Sequence, residues 1–256
     1  EVVRPLRRRI DGAFDSVLLN VHVKAMQECD DGVDVTLEGD GSSTLRFDRV
    51  LIAAGRKANT EGQGLENMKV ALNDRGFIVV DEQQRTADER IFAVGDVVGG
   101  AMLAHKAMRE GRVAAEVIAG QPSAFDARAV PAVVYTDPQV AWCGLSEEEA
   151  KRDNRPVRVT RFPWTASGRA ATMGATEGMT KVVFDAETGR VLGMGIVGRG
   201  AGEMIGEGVL AVEMGALAED LALTLHPHPT LSETEAEVAE AFLGSATHLL
   251  PVSRKS

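Results

Sequence analysis

The feature that most constrains the fold is a pair of apolar runs joined by a short polar turn at residues 180–198. The turn, DAETG, contains residue types that favour tight reversals, so the flanking runs are interpreted as two strands of a hairpin. Patterned segments surround it: strand-like at 130–136, 139–144 and 157–164, and helical at about 202–215 and 231–243. Strands combined with helices in this way predict an α+β domain over residues 129–256.

The first half of the chain indicates a different class of domain. Residues 50–54, VLIAA, form a continuous apolar run that ends at Gly55, which is typical of a strand buried on both faces of a sheet. Other patterns are strand-like at 17–26, 33–37, 44–47, 77–81 and 91–94, and helical at 103–119. We interpret residues 1–60 as the end of an α/β domain whose beginning is not in the chain.

Charge and cysteine usage narrow the function classes. The net charge of −10 argues against binding nucleic acid or an anionic membrane surface, and no apolar run reaches the length of a membrane span. Cys29 and Cys143 lie far apart and form neither a CxxC nor a CxxxxC pair. We therefore predict a cytoplasmic protein without a disulfide framework. No histidine has ligand spacing with cysteines or carboxylates, so no metal site is predicted.

Residues 226–235, HPHPTLSETE, are the strongest candidate for a catalytic segment. Each histidine precedes a proline, which keeps the chain extended and stiff, and a helix is predicted to start at Thr230. Glu233, about one turn into that helix, is placed to hydrogen-bond a ring nitrogen of His228 and orient it as a general base. The alternative is structural: Thr230 and Glu233 have capping-box spacing, so Glu233 would serve only the Thr230 N–H.

Asp96 follows a predicted buried strand, in the sequence VGDVVGGAMLAHKA at 94–107. A carboxylate at that position lies at the sheet edge where α/β folds bind ligands, and it is suited to accept hydrogen bonds from polyol hydroxyls. The N–H groups of residues 102–105 then open a helix, which favours a polar or anionic ligand group. The alternative is a Gly-Asp turn with a solvated carboxylate.

Residues 193–198, GMGIVG, match the G-x-G-x-x-G pattern of dinucleotide-binding loops. The preceding strand is the return arm of the hairpin, and no strand ending in Asp or Glu follows at the required distance. We interpret these glycines as allowing a helix to pack closely on the strand rather than as a phosphate cradle.

Several segments together resemble the dihydrolipoamide dehydrogenase family of class I pyridine nucleotide-disulfide oxidoreductases, in that family's order and spacing. They are AAGRKAN (53–59), IFAVGDVVGGAMLAHKA (91–107), EGRVAAEVIAG (110–120), YTDPQVAWCGLSEEEAK (135–151), FPWTASGRA (162–170), GMTKVVFD (178–185) and HPHPTLSE (226–233). The resemblance implies the C-terminal part of such a protein. Its domains would be an NAD-domain remnant (1–60), an FAD-domain remnant (61–128) and a complete interface, or dimerisation, domain (129–256).

The resemblance also implies roles for individual residues. His228 would be the catalytic base, Glu233 its orienting partner, and the His228–Pro229 peptide would be cis. Asp96 would bind the ribityl chain of FAD. The remaining cofactor contacts would be Met102, Leu103, Ala104 and His105 at the flavin, and Val23 and Gly55 beside the NAD site.

The activity implied by the resemblance is oxidation of protein-bound dihydrolipoamide with FAD and NAD+ by a homodimer formed through residues 129–256. The partners would be lipoyl domains of a 2-oxo acid dehydrogenase complex. Pro227 departs from the family, which has alanine there. The chain also lacks the family's redox CxxxxC and both Gly-rich loops, so we expect it to be inactive alone. The alternatives are a non-catalytic dimerisation fragment and another flavoprotein disulfide reductase resembling glutathione reductase.

Overall fold

The computed structural model describes residues 2–249, and the chain divides into two compact units. One unit is residues 10–57, and the other contains residues 2–9 and 58–249. The helices are α1 (Arg4–Ala13), α2 (Ala104–Ile118), α3 (Glu147–Arg152), α4 (Gly168–Met173), α5 (Ala201–Met214), α6 (Ala218–Leu223) and α7 (Glu233–Leu243). The strands are β1 (Val21–Cys29), β2 (Gly32–Gly39), β3 (Ser43–Phe47), β4 (Ala132–Val134), β5 (Gln139–Gly144), β6 (Val157–Pro163), β7 (Met179–Asp185) and β8 (Val191–Gly198).

The larger unit is built on a five-stranded antiparallel sheet in the order β4-β5-β8-β7-β6. The predicted hairpin is its centre: β7 and β8 pair directly, with Lys181 opposite Gly195. Asp185 shapes the turn because its carboxylate accepts hydrogen bonds from the N–H groups of Glu187 and Thr188. The mixed α+β class predicted for this part of the chain is confirmed.

The core lies between one face of this sheet and helices α5 and α7. Side chains of alternating strand positions, among them Val182, Phe184 and Ile196, are fully buried there. A series of side-chain hydrogen bonds crosses this apolar layer. The Trp164 indole N–H donates to Thr180 Oγ1 over 3.0 Å, and Thr180 and Thr234 share a 2.7 Å hydrogen bond. These hydrogen bonds pair the indole N–H and both threonine hydroxyls, so they link α7 to the sheet without leaving a buried polar group unsatisfied.

The smaller unit is a meander of β1, β2 and β3, and all its pairings are antiparallel. The Arg46 guanidinium of β3 binds the Asp34 carboxylate of β2 through two nitrogens, at 2.7 and 2.9 Å. This contact lowers the pKa of Asp34. The hairpin predicted between residues 33–37 and 44–47 is therefore confirmed, with a longer first strand.

Several predicted elements are wrong. Residues 50–54 make no strand pairing among the described residues, and Leu51 is 91% exposed. Residues 77–81 and 91–94 contribute isolated bridges, Leu72 with Ile78 and Arg85 with Phe92, rather than strands. A strand forms only where a neighbouring segment pairs with successive backbone N–H and C=O groups. In the described chain residues 50–54 have no such neighbour, and residues 77–81 and 91–94 pair only at single bridges.

Helix boundaries also differ from the prediction. Helix α7 begins at Glu233, not at Thr230, so Glu233 is its first residue rather than one turn inside it. Helices α1, α4 and α6 were not predicted, because they are short or lack a clear apolar stripe. Helix α2 matches its prediction, as does the capping box of Ser146 and Glu149 that opens α3. None of the helices in residues 2–249 is long and apolar enough to cross a membrane.

The glycines of 193–198 all lie within β8, so the interpretation as a hairpin arm is confirmed. Their packing role differs from the expected one. A Cβ on Gly193 would lie 2.2 Å from the Leu145 carbonyl oxygen, and one on Gly198 would lie 2.2 Å from the Trp164 ring. The close approach of helix to strand comes instead from Gly208 on α5, where a Cβ would lie 2.7 Å from the Met194 sulfur.

Candidate functional site

His228 stands on the irregular segment that joins α6 to α7. Its Nδ1 lies 2.8 Å from Glu233 Oε1, and its side chain is 79% exposed. The His228–Pro229 peptide is cis, as the resemblance implied. With Nδ1 engaged by a carboxylate, Nε2 is the ring nitrogen available for proton transfer.

Glu233 has both of the partners that sequence reasoning treated as alternatives. One carboxylate oxygen binds His228, and the other accepts the Thr230 N–H over 2.7 Å. Partial burial raises the pKa of Glu233, but the Thr230 N–H and the His228 ring outweigh it, and the pKa lies below its ordinary value. The backbone contact therefore fixes the carboxylate that orients His228.

His226 is held differently, although it is only two residues away. Its Nε2 lies 2.8 Å from Glu207 Oε1 of α5, its Nδ1 lies 3.0 Å from the Thr224 carbonyl oxygen, and its side chain is 6% exposed. Both ring nitrogens are occupied, so His226 anchors the segment to α5 and is not available as a base. Sequence reasoning missed Glu207, which lies 19 residues before His226 without a pattern that connects them.

Pro227, the departure from the family pattern, is also fixed in place. Its carbonyl oxygen accepts the Thr230 hydroxyl over 2.7 Å, and the same hydroxyl lies 3.0 Å from Ser232 Oγ. Proline supplies no N–H, but its fixed φ and this carbonyl contact hold the segment between the two histidines. The segment that carries His228 is therefore held by a contact at Pro227 itself.

Asp96 lies, exposed, in a short 3-10 turn at Gly95–Val98. Helix α2 starts shortly afterwards at Ala104, with Met102 and Leu103 in the approach to it. Ala104 and His105 are exposed at the first turn, and His105 Nε2 lies 2.7 Å from the Pro131 carbonyl oxygen. The first N–H groups of a helix lack intrahelical acceptors, so the first turn of α2 offers donors. The turn that carries the exposed Asp96 is bonded to the same helix, through Glu110 and Lys106. These groups suit a polyol chain with a hydrogen-bonding ring, as the resemblance implied for FAD.

Val23 and Gly55, the residues assigned to the NAD side, belong to the smaller unit. Val23 is exposed on β1 opposite Leu37, next to an irregularity in the strand register. Gly55 is exposed in an irregular segment and has a φ of 84°, a conformation that favours glycine. The structure leaves their assigned role untested.

The two cysteines offer no dithiol chemistry. Both are free, and Cys143 is buried in β5, where desolvation raises the pKa of its thiol to about 12. The thiol of Cys29 hydrogen-bonds Asp34 and also has a raised pKa. Because the thiolate is the reactive form, neither side chain is activated.

Comparisons with known proteins agree with these features. A family model described as pyridine nucleotide-disulphide oxidoreductase, dimerisation domain, matches residues 130–239, and a second, described as pyridine nucleotide-disulphide oxidoreductase, matches residues 16–111. The chain is 48% identical over 250 residues to dihydrolipoyl dehydrogenase of Haemophilus influenzae, covering 97% of this chain and 52% of that relative.

Solved structures give the same relationship. LpdA from Mycobacterium tuberculosis is similar with a TM-score of 0.86 and 28% identity, covering 93% of this chain and 51% of that one. The HOCl-induced flavoprotein disulfide reductase RclA from Escherichia coli is similar with a TM-score of 0.84 and 27% identity, covering 93% and 55%. The chain spans about half the length of the relatives it matches. With both parts of the sequence matching one family and the fold matching its members, the chain belongs to the pyridine nucleotide-disulphide oxidoreductases.

Proposed function

We propose that this chain is part of a dihydrolipoyl dehydrogenase, an oxidoreductase that converts protein-bound dihydrolipoamide to lipoamide with FAD and NAD+. The observation that carries the proposal is the contact of His228 Nδ1 with Glu233 Oε1 on an exposed, proline-stiffened segment. Similarity to a dihydrolipoyl dehydrogenase over nearly the whole chain supports the choice of substrate. The domain assignment goes with it: residues 1–60, 61–128 and 129–256 are NAD-domain, FAD-domain and interface parts.

The chemistry follows from the arrangement of the imidazole. In the tautomer that we propose, the Nδ1–H of His228 donates a hydrogen bond to the Glu233 carboxylate. Nε2 then carries the lone pair that accepts a proton from a dihydrolipoamide thiol. The Glu233 carboxylate then stabilises the positive charge on the ring. The resulting thiolate attacks one sulfur of a disulfide that this chain does not carry, which forms a mixed disulfide and releases the other sulfur as a thiolate. The second substrate thiol then attacks the mixed disulfide, which closes lipoamide and leaves the reduced dithiol. FAD, held in part by Asp96 and the backbone of Met102 to His105, would supply the two-electron redox chemistry that links the reduced dithiol to NAD+.

Asp96 and the first turn of α2 form the part of the FAD site that this chain contributes. The exposed carboxylate of Asp96 would accept hydrogen bonds from the ribityl hydroxyls, and the backbone from Met102 to His105 would lie against the flavin ring. Ala104 is small and exposed, which leaves space for a planar ring against the helix. Val23 and Gly55 border the NAD site.

We also propose that the chain forms a homodimer. The match to a dimerisation-domain model supports this, as does a groove of about 680 Å³ next to His226, formed partly by exposed apolar side chains. They are Leu210, Met214 and Leu225, the last of which is 97% exposed. An apolar surface of this kind is suited to a second copy of the same chain. The substrate would be delivered by lipoyl domains of a 2-oxo acid dehydrogenase complex. We also propose a cytoplasmic location, because both cysteines are free and disulfides are rare in that compartment.

The test is the visible absorption spectrum of the purified, desalted chain. Near-stoichiometric flavin bands would support the cofactor site. Thiol oxidation is then measured in a full-length form that carries the redox disulfide, with His228→Gln and, as a matched control, the exposed His22→Gln. His228→Gln is expected to lower the rate of thiol oxidation by about 10²–10⁴-fold, and His22→Gln is expected to leave that rate unchanged. Equal rates in the two variants would contradict the role of His228.

A second candidate is a cofactor-free dimerisation fragment, which the exposed groove beside His226 favours. A colourless chain that sediments as a dimer would support that candidate and exclude flavin chemistry in this chain. A colourless monomer would contradict the homodimer and would show that this chain does not hold flavin by itself.

A further inference from the structure

A buried ion pair lies directly beneath the turn that carries Asp96. Lys106 and Glu110 of α2 are in contact, and their side chains are only 10% and 4% exposed. Their spacing of four residues places both on the same face of the helix. Two charges buried together are costly unless all their hydrogen-bonding capacity is used, so the other contacts of this pair are informative.

Each member of the pair holds one end of the turn. Glu110 Oε2 accepts the Gly95 N–H over 2.7 Å, and Lys106 Nζ donates to the Gly99 carbonyl oxygen over 3.1 Å. Asp96 lies between these two anchor points. The pair therefore spans the turn from its first N–H to the carbonyl that follows it.

The ends of the turn have the backbone conformation that such anchoring requires. Gly95 and Gly99 have φ values of 80° and 78°, which non-glycine residues rarely adopt. A Cβ on Gly95 would lie 3.2 Å from the Ala107 side chain, and one on Gly99 would lie 2.9 Å from the Phe77 ring. The turn is thus pressed against α2 and Phe77 while Asp96 itself stays exposed.

A second ion pair on the same helix shows that the contact with the turn is specific. Arg112 and Glu116 have the same four-residue spacing and a 2.8 Å contact, but Arg112 is mostly exposed. Glu116 additionally accepts the Ser123 hydroxyl, beyond the far end of α2. This pair stabilises the helix without reaching Gly95 or Gly99, so helix stabilisation alone does not explain Lys106 and Glu110.

We infer that Lys106 and Glu110 are positioning residues that hold the Gly95–Val98 turn so that Asp96 is presented beside the first turn of α2. The inference rests on the proposed FAD site and adds to it the residues that fix its carboxylate. Neither side chain touches the ligand. They act through the backbone, because rotation of the turn would change the position of Asp96 relative to helix α2.

The test removes the pair without leaving an unpaired charge. The double variant Lys106→Met with Glu110→Leu is compared with the control Arg112→Met with Glu116→Leu. Amide hydrogen exchange in residues 95–99 is expected to accelerate at least about tenfold in the first variant, while residues 111–118 keep their protection. The affinity for added FAD, measured by flavin fluorescence, is expected to weaken by about tenfold, and the control is expected to change neither quantity.

Two results would overturn the inference. One is exchange in residues 95–99 that matches the control. The other is faster exchange with unchanged FAD affinity, which would make the pair purely structural. Failure of the wild-type chain to bind FAD would overturn the cofactor proposal instead, and the exchange comparison would still decide whether the pair holds the turn.

Discussion

Two runs of the chain are similarly apolar, but one is buried within a sheet and the other is exposed. Strand β8, VLGMGIVG, lies between β5 and β7, and its Ile196 is fully buried. Residues 50–54, VLIAA, have no strand partner in the described chain, and Ile52 is 68% exposed. Hydrophobicity predicted a buried strand in both places.

The difference shows what an apolar run cannot specify alone. Strand β8 has a partner on each side, and the turn at 185–189 provides one of them by folding β7 back over a short loop. Residues 50–54 have no neighbouring hairpin partner, and a strand of the parallel type has to be supplied from distant sequence. Local pattern therefore predicts a strand reliably only where the chain itself supplies the pairing.

The largest expected consequence is a difference in protease sensitivity. Residues 129–249 should resist limited thermolysin digestion, whereas the first 128 residues should be cut early, first at 50–57, where exposed apolar side chains lack strand pairing. Mass spectrometry of the time course identifies the cut sites. Early cuts within β5 to β8, with 50–57 intact, would reverse the comparison.

A matched pair of substitutions measures the same contrast in free energy. Ile196→Ala, in the core beside α5, should lower the free energy of unfolding by about 2–5 kcal/mol because it removes buried methyl groups and leaves a cavity. Ile52→Ala should change it by less than about 0.5 kcal/mol. Both tryptophans, Trp142 and Trp164, lie in the larger unit. Urea unfolding is therefore followed by tryptophan fluorescence for Ile196→Ala and by far-ultraviolet circular dichroism for Ile52→Ala. A large loss for Ile52→Ala would show that residues 50–54 pack against something that exposure does not reveal.

Sequence reasoning succeeded for the fold where signals were local. The hairpin of β7 and β8, the capping box at Ser146 and the end of α2 near Gly120 each depend on a few neighbouring residues. It failed for helices α4 and α6, whose six residues are too few to show a period. It also predicted that the glycines of β8 allow a helix to pack closely on the strand, whereas Gly208 of α5 does so. The position of the glycine depends on how the helix and the strand finally pack, which local sequence does not specify.

In the candidate site, too, contacts between residues close in sequence were predictable and contacts between distant elements were not. The hydrogen bond between His228 and Glu233 was predictable because five residues separate them on a proline-stiffened segment. The partners of His226 and Gly95 were not, since Glu207 and Glu110 reach them from other elements. The role of each predicted cofactor residue remains a prediction, as nothing in the fold alone identifies the molecule that Asp96 would bind.

Glu235 extends the comparison from apolar to charged side chains. It lies on the buried stripe of α7 with Val238 and Ala239, where a helical pattern would place an apolar residue. Its side chain is fully buried, and neither carboxylate oxygen has a hydrogen-bond partner in the described structure. A cavity of about 500 Å³ beside it is also lined by charged residues of neighbouring elements, namely Arg169, Arg199, Glu203 and Glu207. Burial and then the charge of Glu207 raise the pKa of Glu235 to about 9.

This raised pKa predicts a stability that falls as pH rises. Above pH 4.5 the unfolded chain releases the Glu235 proton, whereas the folded chain keeps it up to about pH 9, so the folded state binds more protons in that window. The contribution to stability is complete below pH 4.5 and is lost progressively toward pH 9, at a rate of at most about 1.4 kcal/mol per pH unit. Urea unfolding at intervals from pH 5 to pH 9 measures this slope.

The variants separate this carboxyl from the general charge of the protein. Glu235→Leu removes the proton equilibrium, so its unfolding free energy should lose this slope, while the exposed Glu187→Gln should keep the slope of the wild type. Parallel pH profiles for wild type and Glu235→Leu would show that another group carries the dependence. A smaller slope in Glu235→Leu than in the wild type would show that the larger unit holds this buried carboxyl in its neutral form. A carboxyl in an exposed segment such as residues 50–57 would stay in water and keep its charge.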